Sequence, residues 1–189
     1  KRRNILLAFI IPALLFYVVF WISPVLMSFY YGLTNWRGMG DFDIVGMKNY
    51  ANLIKQGTLF NSMGNTIKYT LFVVIWGNIQ ALALAMILNM KLKARGVFRT
   101  IFYIPALFST IVVAFLWSYV YAPHYGMISE IFNLFGSSNA PNLLGSKATS
   151  LFAAAFVETW KTSGTMTIIY LAGLQNISEE VIESAKIDG

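Results

Sequence analysis

The sequence predicts an all-α integral membrane protein, and three observations carry that prediction. Hydrophobic residues make up 57% of the 189 positions and charged residues only 12%, with a mean hydropathy of +0.62. A water-soluble domain needs more charge than this to cover its surface. Apolar stretches at residues 5–31, 65–90, 100–121 and 148–174 are each long enough for the roughly 20 helical residues that a bilayer core requires. The lysines and arginines flank these stretches in short clusters. That placement argues against nucleic-acid binding as the reason for a pI near 9.6.

The first stretch is too long for the apolar core of a cleavable leader and lacks a small-residue cleavage site, so it reads as a first span. Pro12 and Pro24 lie inside it and predict kinks or helix ends. Trp21, Tyr30 and Tyr31 sit towards its far end, where an aromatic belt would place them. A polar stretch, 34–61, follows with charges of mixed sign at Asp41, Asp43, Lys48 and Lys55. The second stretch, 65–90, carries Asn78 and Gln80 near its middle. A basic loop, Lys91-Leu-Lys-Ala-Arg-Gly-Val-Phe-Arg99, leads into the third, which has Pro105 early in it.

A second polar connection, 122–147, contains a segment at 127–135 with apolar residues at helical spacing. It is predicted to lie along a membrane surface. The fourth stretch runs into a polar terminus at 175–189. There Ser178 is a good N-cap, and Glu179 and Glu180 fall in the first turn, where the helix dipole favours them, so a short helix is predicted over 178–186.

Charge sets the orientation. Lys1, Arg2, Arg3, Lys91, Lys93, Arg95, Arg99 and Lys186 fall in one set of connections, against Arg37, Lys48, Lys55 and Lys147 in the other. The positive-inside rule then puts both ends of the chain and the basic loop in the cytoplasm.

Glu158 and Lys161 lie near the middle of the fourth stretch, where a charge costs at least about 2.5–3.5 kcal/mol unless it is paired or faces water. Their spacing lets them pair on one helix face. Three readings stand side by side: a polar lining of a translocation path with Trp160 as a flat surface for a sugar ring, a structural ion pair, and a helix break at Thr162-Ser163-Gly164. Asn78 has the same two faces, as a ligand for substrate hydroxyls or a hydrogen bond to a neighbouring helix. Gln80 is two positions away and cannot share its face. The lack of cysteine excludes thiolate metal sites, and with a single histidine, His124, a histidine-ligated centre is not expected. No phosphate-binding G-x-x-x-x-G-K-[ST] run is present, and no catalytic set emerges, so no enzyme is predicted.

The terminal run, Leu171-Ala-Gly-Leu-Gln-Asn-Ile-Ser-Glu-Glu-Val-Ile-Glu-Ser-Ala-Lys-Ile-Asp-Gly189, resembles the cytoplasmic "EAA" loop of bacterial binding-protein-dependent ABC importer permeases, in the carbohydrate-uptake branch. That pattern reads L-x-G-L-Q-x-I-P-x-E-L-x-E-A-A-x-I-D-G-A. Leu171, Gly173, Leu174, Gln175, Ile177, Glu180, Glu183, Ala185, Ile187, Asp188 and Gly189 match it. Ser178 stands where Pro is usual, and Ser184 replaces the first Ala. Ile44-Val-Gly-Met-Lys-Asn-Tyr50 is similar to the family's F-V-G-L-x-N-Y signature, which precedes a short surface helix. The run from Asn89 through Arg99 to Phe102 and Pro105 resembles its connection between the second and third helices.

The resemblance implies a type I importer permease fold and the following expectations. Glu180, Glu183, Ala185, Lys186, Asp188 and Gly189 dock into an ATP-binding subunit, and the loop carries that subunit's motion to the membrane helices. The partners are a second permease subunit, two ATP-binding subunits, an extracytoplasmic solute-binding protein and membrane lipid, with ATP and Mg held by partner subunits and no cofactor in this chain. Asn78, Glu158, Trp160 and Lys161 would line the substrate path. The location is the bacterial cytoplasmic membrane. The family continues beyond Asp-Gly with more of the loop and further helices, so the expectation is of a truncated chain. An importer for another solute, such as glycerol phosphate or a peptide, and a non-transporting membrane scaffold remain alternatives.

Overall fold

A computed structural model describes residues 2–90, 93–137 and 139–188, with side chains for all of these except 2–8 and Glu179. Lys1 and Lys91 of the basic clusters and Gly189 of the terminal loop therefore lie outside the described residues. The described chain is helical, with one isolated antiparallel bridge, Thr34 to Ile44. It divides into two compact units, Lys1–Gly64 and Asn65–Gly189.

In the first unit, α1 (Arg2–Tyr17) passes through a π-helical turn (Val18–Ile22) into α2 (Ser23–Gly32). Together they contain an apolar span of 24 residues, Phe9–Gly32. The wide turn has a local cause. Pro24 has no N–H, and its ring would crowd the carbonyl four residues back. The Ser23 N–H instead donates to the Val18 carbonyl, five residues away, and Pro24 takes the first turn of α2, where it costs least. After α2 the chain folds back through the Thr34–Ile44 bridge. Asp43 donates its N–H to Asn35 Oδ1 at 2.7 Å, and Val45 donates to the Leu33 carbonyl at 2.8 Å. Tyr31 stacks on Trp36 with ring centroids 4.3 Å apart, and Phe42 packs edge-on to Tyr30 and Tyr31.

Gly46, at φ +59°, makes the turn into the short helix α3 (Lys48–Lys55) that its flanking motif led us to expect. The Asn49 amide donates to the carbonyls of Gly32 and Thr34, both at 2.8 Å. It thereby caps the open end of α2.

In the second unit the helices are α4 (Thr58–Asn89, which begins in the first unit), α5 (Arg95–Leu107), α6 (Thr110–Val120), α7 (Met127–Leu134), α8 (Ser150–Gln175) and α9 (Glu179–Asp188). Its core lies where α4, α5 and α8 meet: Ala85, Leu88 and Leu171 are buried, with Phe102, Tyr170 and Leu174 packed against them. Higher on α8, Gly164 faces the backbone of α5. A Cβ at this position would lie 2.3 Å from the Phe102 carbonyl oxygen, so only glycine permits the approach. On α7, the buried Ser129 hydroxyl donates to the Ala122 carbonyl at 2.8 Å.

Four single helical spans were expected; among the described residues two helices are long and apolar enough to cross a membrane, Phe9–Gly32 and Thr58–Asn89, and a bent pair would make a third if it forms one span. The stretch expected as one helix over 100–121 is instead two, α5 and α6, bent by 100°. Pro105 removes a backbone donor from the last turn of α5, and Phe108 and Ser109 are both extended. The Ser109 hydroxyl then accepts from the Val112 N–H at 3.3 Å and starts α6 as a true N-cap. The fourth expected span, α8, has the length, at 26 residues, but its polar middle lowers its hydropathy below that of a plain span.

Candidate functional site

Two places gather the residues singled out from the sequence. The first is the middle of α8. The helix runs unbroken through Thr162-Ser163-Gly164, which removes the reading of a helix break there. Three of its hydroxyls bond back to their own helix: Thr159 to the Phe156 carbonyl at 2.9 Å, Thr162 to Glu158 at 2.8 Å and Ser163 to Trp160 at 2.8 Å, whereas the buried Thr167 hydroxyl has no partner among the described residues. Such bonds let hydroxyls sit inside a bundle without an orphaned donor.

Glu158 and Lys161 both line a cleft of about 290 Å³ between α6 and α8, with Thr110, Trp117, Ser118 and Tyr121 on the facing wall. The ion pair that their spacing allows does not form among the described residues. The Lys161 ammonium instead donates to Thr110 Oγ1 at 2.7 Å, in the first turn of α6, next to the bend. The lysine stem is long enough to reach across the helix interface, where a hydroxyl satisfies one of its three donors. Both charges are half-buried in the cleft.

Trp160 is not among the residues lining this cleft. Its ring meets Trp117 edge-to-face, centroids 5.3 Å apart, and Trp117 also packs against Phe156 and Tyr121. The aromatic wall of the cleft is Trp117 and Tyr121, which sequence reasoning did not single out. Asn78 is engaged between helices: its Nδ2 donates to the Val74 carbonyl at 2.6 Å, and its Oδ1 accepts from the Tyr170 hydroxyl of α8. Of its two readings, this geometry is that of the interhelical bond. Gln80 has a buried Oε1 with no partner among the described residues.

The second place is the terminal loop. The Ser178 carbonyl accepts the Ile182 N–H at 3.3 Å, which makes it the boundary residue of α9 as the sequence suggested. Glu180, Glu183, Ala185, Lys186 and Asp188 are all exposed, and so are Val181, Ile182 and Ile187. The helix thus presents both carboxylates and aliphatic side chains to its surroundings. At the joint, with its amide turned so that the oxygen faces the two guanidinium groups, Gln175 accepts from Arg95 and from Arg99, the latter at 3.0 Å. Two arginines that follow the basic loop thus meet the last residue of α8.

No family model matches the chain. Individual relatives do, over almost all of its length. The trehalose/maltose transport system permease protein MalF of Thermococcus litoralis is 35% identical over 95% of this chain, and the multiple sugar-binding transport system permease protein MsmF of Streptococcus mutans is 32% identical over 96%. The probable starch degradation products transport system permease protein AmyD of Thermoanaerobacterium thermosulfurigenes is 29% identical over 96%. Its homologues are sugar ABC transporter permeases.

The chain spans 61–62% of the length of these three relatives. Its fold is also that of a solved structure: a bacterial ABC transporter involved in the import of the acidic polysaccharide alginate matches all of this chain and 64% of its own, with a TM-score of 0.79 and 22% identity. The resemblance read from the terminal loop and the basic loop is thus borne out at the level of homology, as is an all-α membrane architecture.

Proposed function

We propose that this chain supplies the membrane helices of a permease subunit in an ATP-driven importer that moves a sugar or oligosaccharide across the bacterial cytoplasmic membrane. The observation that carries the reading is homology to sugar transport permeases over 95–96% of the chain. The partners are a second permease subunit, two ATP-binding subunits that hold ATP and Mg, and an extracytoplasmic solute-binding protein. Both ends of the chain face the cytoplasm, following the distribution of lysine and arginine.

The geometry suits alternating access. α9, with Glu180, Glu183, Ala185, Lys186 and Asp188 exposed, docks on an ATP-binding subunit, and Gly189 belongs to the same loop. α8 joins that helix through only Asn176, Ile177 and Ser178, so a push on α9 reaches a helix that lines a polar cleft. In the cleft, Glu158 accepts and Lys161 donates hydrogen bonds to sugar hydroxyls, while Trp117 supplies an apolar face for a pyranose ring. Trp160 supports Trp117 from behind, and Asn78 fixes α4 to α8.

The test is reconstitution of the complete permease with its co-encoded subunits in vesicles, followed by uptake of radiolabelled mono- and oligosaccharides. Uptake of at least one saccharide that depends on both ATP and the binding protein is expected. Absence of saccharide uptake alongside uptake of glycerol phosphate or a peptide would replace the substrate class, and a complex without ATP-dependent uptake would replace the transport reading.

A further inference from the structure

The start of α5 breaks local rules of helix formation in three ways. Its N-cap residue, Ala94, is the one non-glycine residue with positive φ among those described, at +62°, and it has no side chain able to cap. Arg95 and Arg99 then place two cations in the first turns, where the helix dipole disfavours positive charge. They are four positions apart, a spacing at which like charges repel. Nothing within α5 compensates any of these.

Compensation comes from α8. The helix ends at Gln175, where its last carbonyls and its dipole favour cations, and the Gln175 amide oxygen accepts from both guanidinium groups. Below this contact Leu171 and Leu174 pack with Phe102, and farther along the same interface Gly164 meets the Phe102 backbone. The two helices are thus locked from the joint inward. Local conflict met by a residue of another helix is the pattern expected where function has set the sequence, although Nε of each arginine stays buried without a partner among the described residues.

We infer that Arg95 and Arg99 act as a positioning clamp on Gln175, fixing the α8–α9 joint to the start of α5. Motion of α9 is then delivered to α5 as well as α8, and through α5 to the bend at Ser109, where Lys161 of α8 grips Thr110. This inference rests on the reading of α9 as the docking helix. It differs from that reading in naming the neutral side chain through which the stroke leaves α8. A carboxylate at position 175 would satisfy the same two donors, and an alkyl group would satisfy neither.

The experiment compares Gln175→Leu and Gln175→Glu with wild type, using the complete permease assembled with its ATP-binding subunits. This chain contains no cysteine; with any in the rest of the permease and its partners replaced, spin labels can be placed at Ile182→Cys on α9 and Phe98→Cys on α5, both exposed. In wild type a narrow distance distribution between the labels is expected. Gln175→Leu should broaden it and raise the ATP hydrolysed per sugar imported by about fivefold, the lower end of typical coupling effects, while the complex still assembles. Gln175→Glu should keep both values as in wild type. An unchanged distribution in Gln175→Leu, or equal damage from both variants, overturns the clamp. If wild type assembles but imports no sugar, the transport reading falls, and the label distances still decide the clamp.

Discussion

The apolar span Phe9–Gly32 and the helix α8 have nearly the same length, 24 and 26 residues, and follow opposite designs. No residue of the first is buried in its unit, and its large side chains, such as Phe9, Phe16 and Trp21, stand exposed. α8 buries Ala153, Ala155, Thr159, Ser163, Gly164, Thr167 and Leu171, most of them small or hydroxylated. Between membrane helices there is little hydrophobic gain, because lipid is as apolar as leucine. Close packing of small residues and hydrogen bonds hold such helices together. The less apolar helix is therefore the one that packs, lines a cleft and carries the joint to α9.

Replacement of Gly164 tests this contrast most severely. Leucine at 164 would drive a side chain into the Phe102 carbonyl and force α5 from α8. A loss of about 1–3 kcal/mol or more is expected from such overpacking. A thermal unfolding series in detergent should show it as a large drop in midpoint for the assembled permease. Gly173→Ala in the same helix meets nothing within 4 Å and should be neutral or slightly stabilising. Equal effects from both changes would mean that α5 and α8 are not packed as described.

Ser109 comes next. Removing its hydroxyl by Ser109→Ala takes away the cap on α6 and is expected to cost about 1 kcal/mol. Ser109→Asp, which keeps an acceptor, should retain the capped end. Faster amide exchange at Val112 in the alanine variant alone would confirm the cap, and unchanged exchange would count against it.

The bend also marks the limit of what could be read from sequence. An average over twenty apolar residues cannot register one hydroxyl, so 100–121 looked like a single span. The usable signal was Ser109 four positions after Pro105, a helix stop followed by a start. The spans Phe9–Gly32 and Thr58–Asn89 were legible because bulk hydropathy marks them. α9 was legible because the signals that start it, Ser178 and the acidic residues after it, are local in the sequence. α4 begins at Thr58, ahead of the expected 65, because Asn61, Ser62 and Gly64 interrupt the apolar run that Leu59 and Phe60 begin, and hydropathy discounts such mixed helix. The cleft was half legible. Glu158 and Lys161 stood out as charges in an apolar run, but Thr110 and Trp117 come from another helix, and nothing local announces which faces will meet. Arg95 and Arg99 were read as charges that predict an orientation and as part of the run from Asn89 to Pro105. Their conflict with the dipole of their own helix was the sign to look for a partner on another element.

A smaller effect is expected at Thr110. Thr110→Val keeps the shape of the side chain and removes the acceptor for Lys161. Hydrogen bonds between membrane helices average about 0.6 kcal/mol, so stability should fall only slightly. The consequence for transport is larger in kind, because the freed ammonium then sits in the cleft beside Glu158. We expect saccharide uptake to change in apparent affinity with little change in unfolding midpoint. A fall in both together would mark the Lys161–Thr110 bond as structural.

The smallest effect belongs to the exposed span. Phe16→Leu, at a position 66% exposed, swaps one apolar side chain for another where nothing from its own unit covers it. Its only described ring neighbour is Phe20, with centroids 5.8 Å apart on the same helix, and such a pair adds little to an already formed helix. A change within about 0.5 kcal/mol is expected, as for substitutions away from packed features. Unfolding of the complete permease alone and of the assembled complex should then give the same near-zero shift. A shift that appears only in the complex would identify this face of the span as a subunit contact, and the contrast with α8 would become one between two packed surfaces.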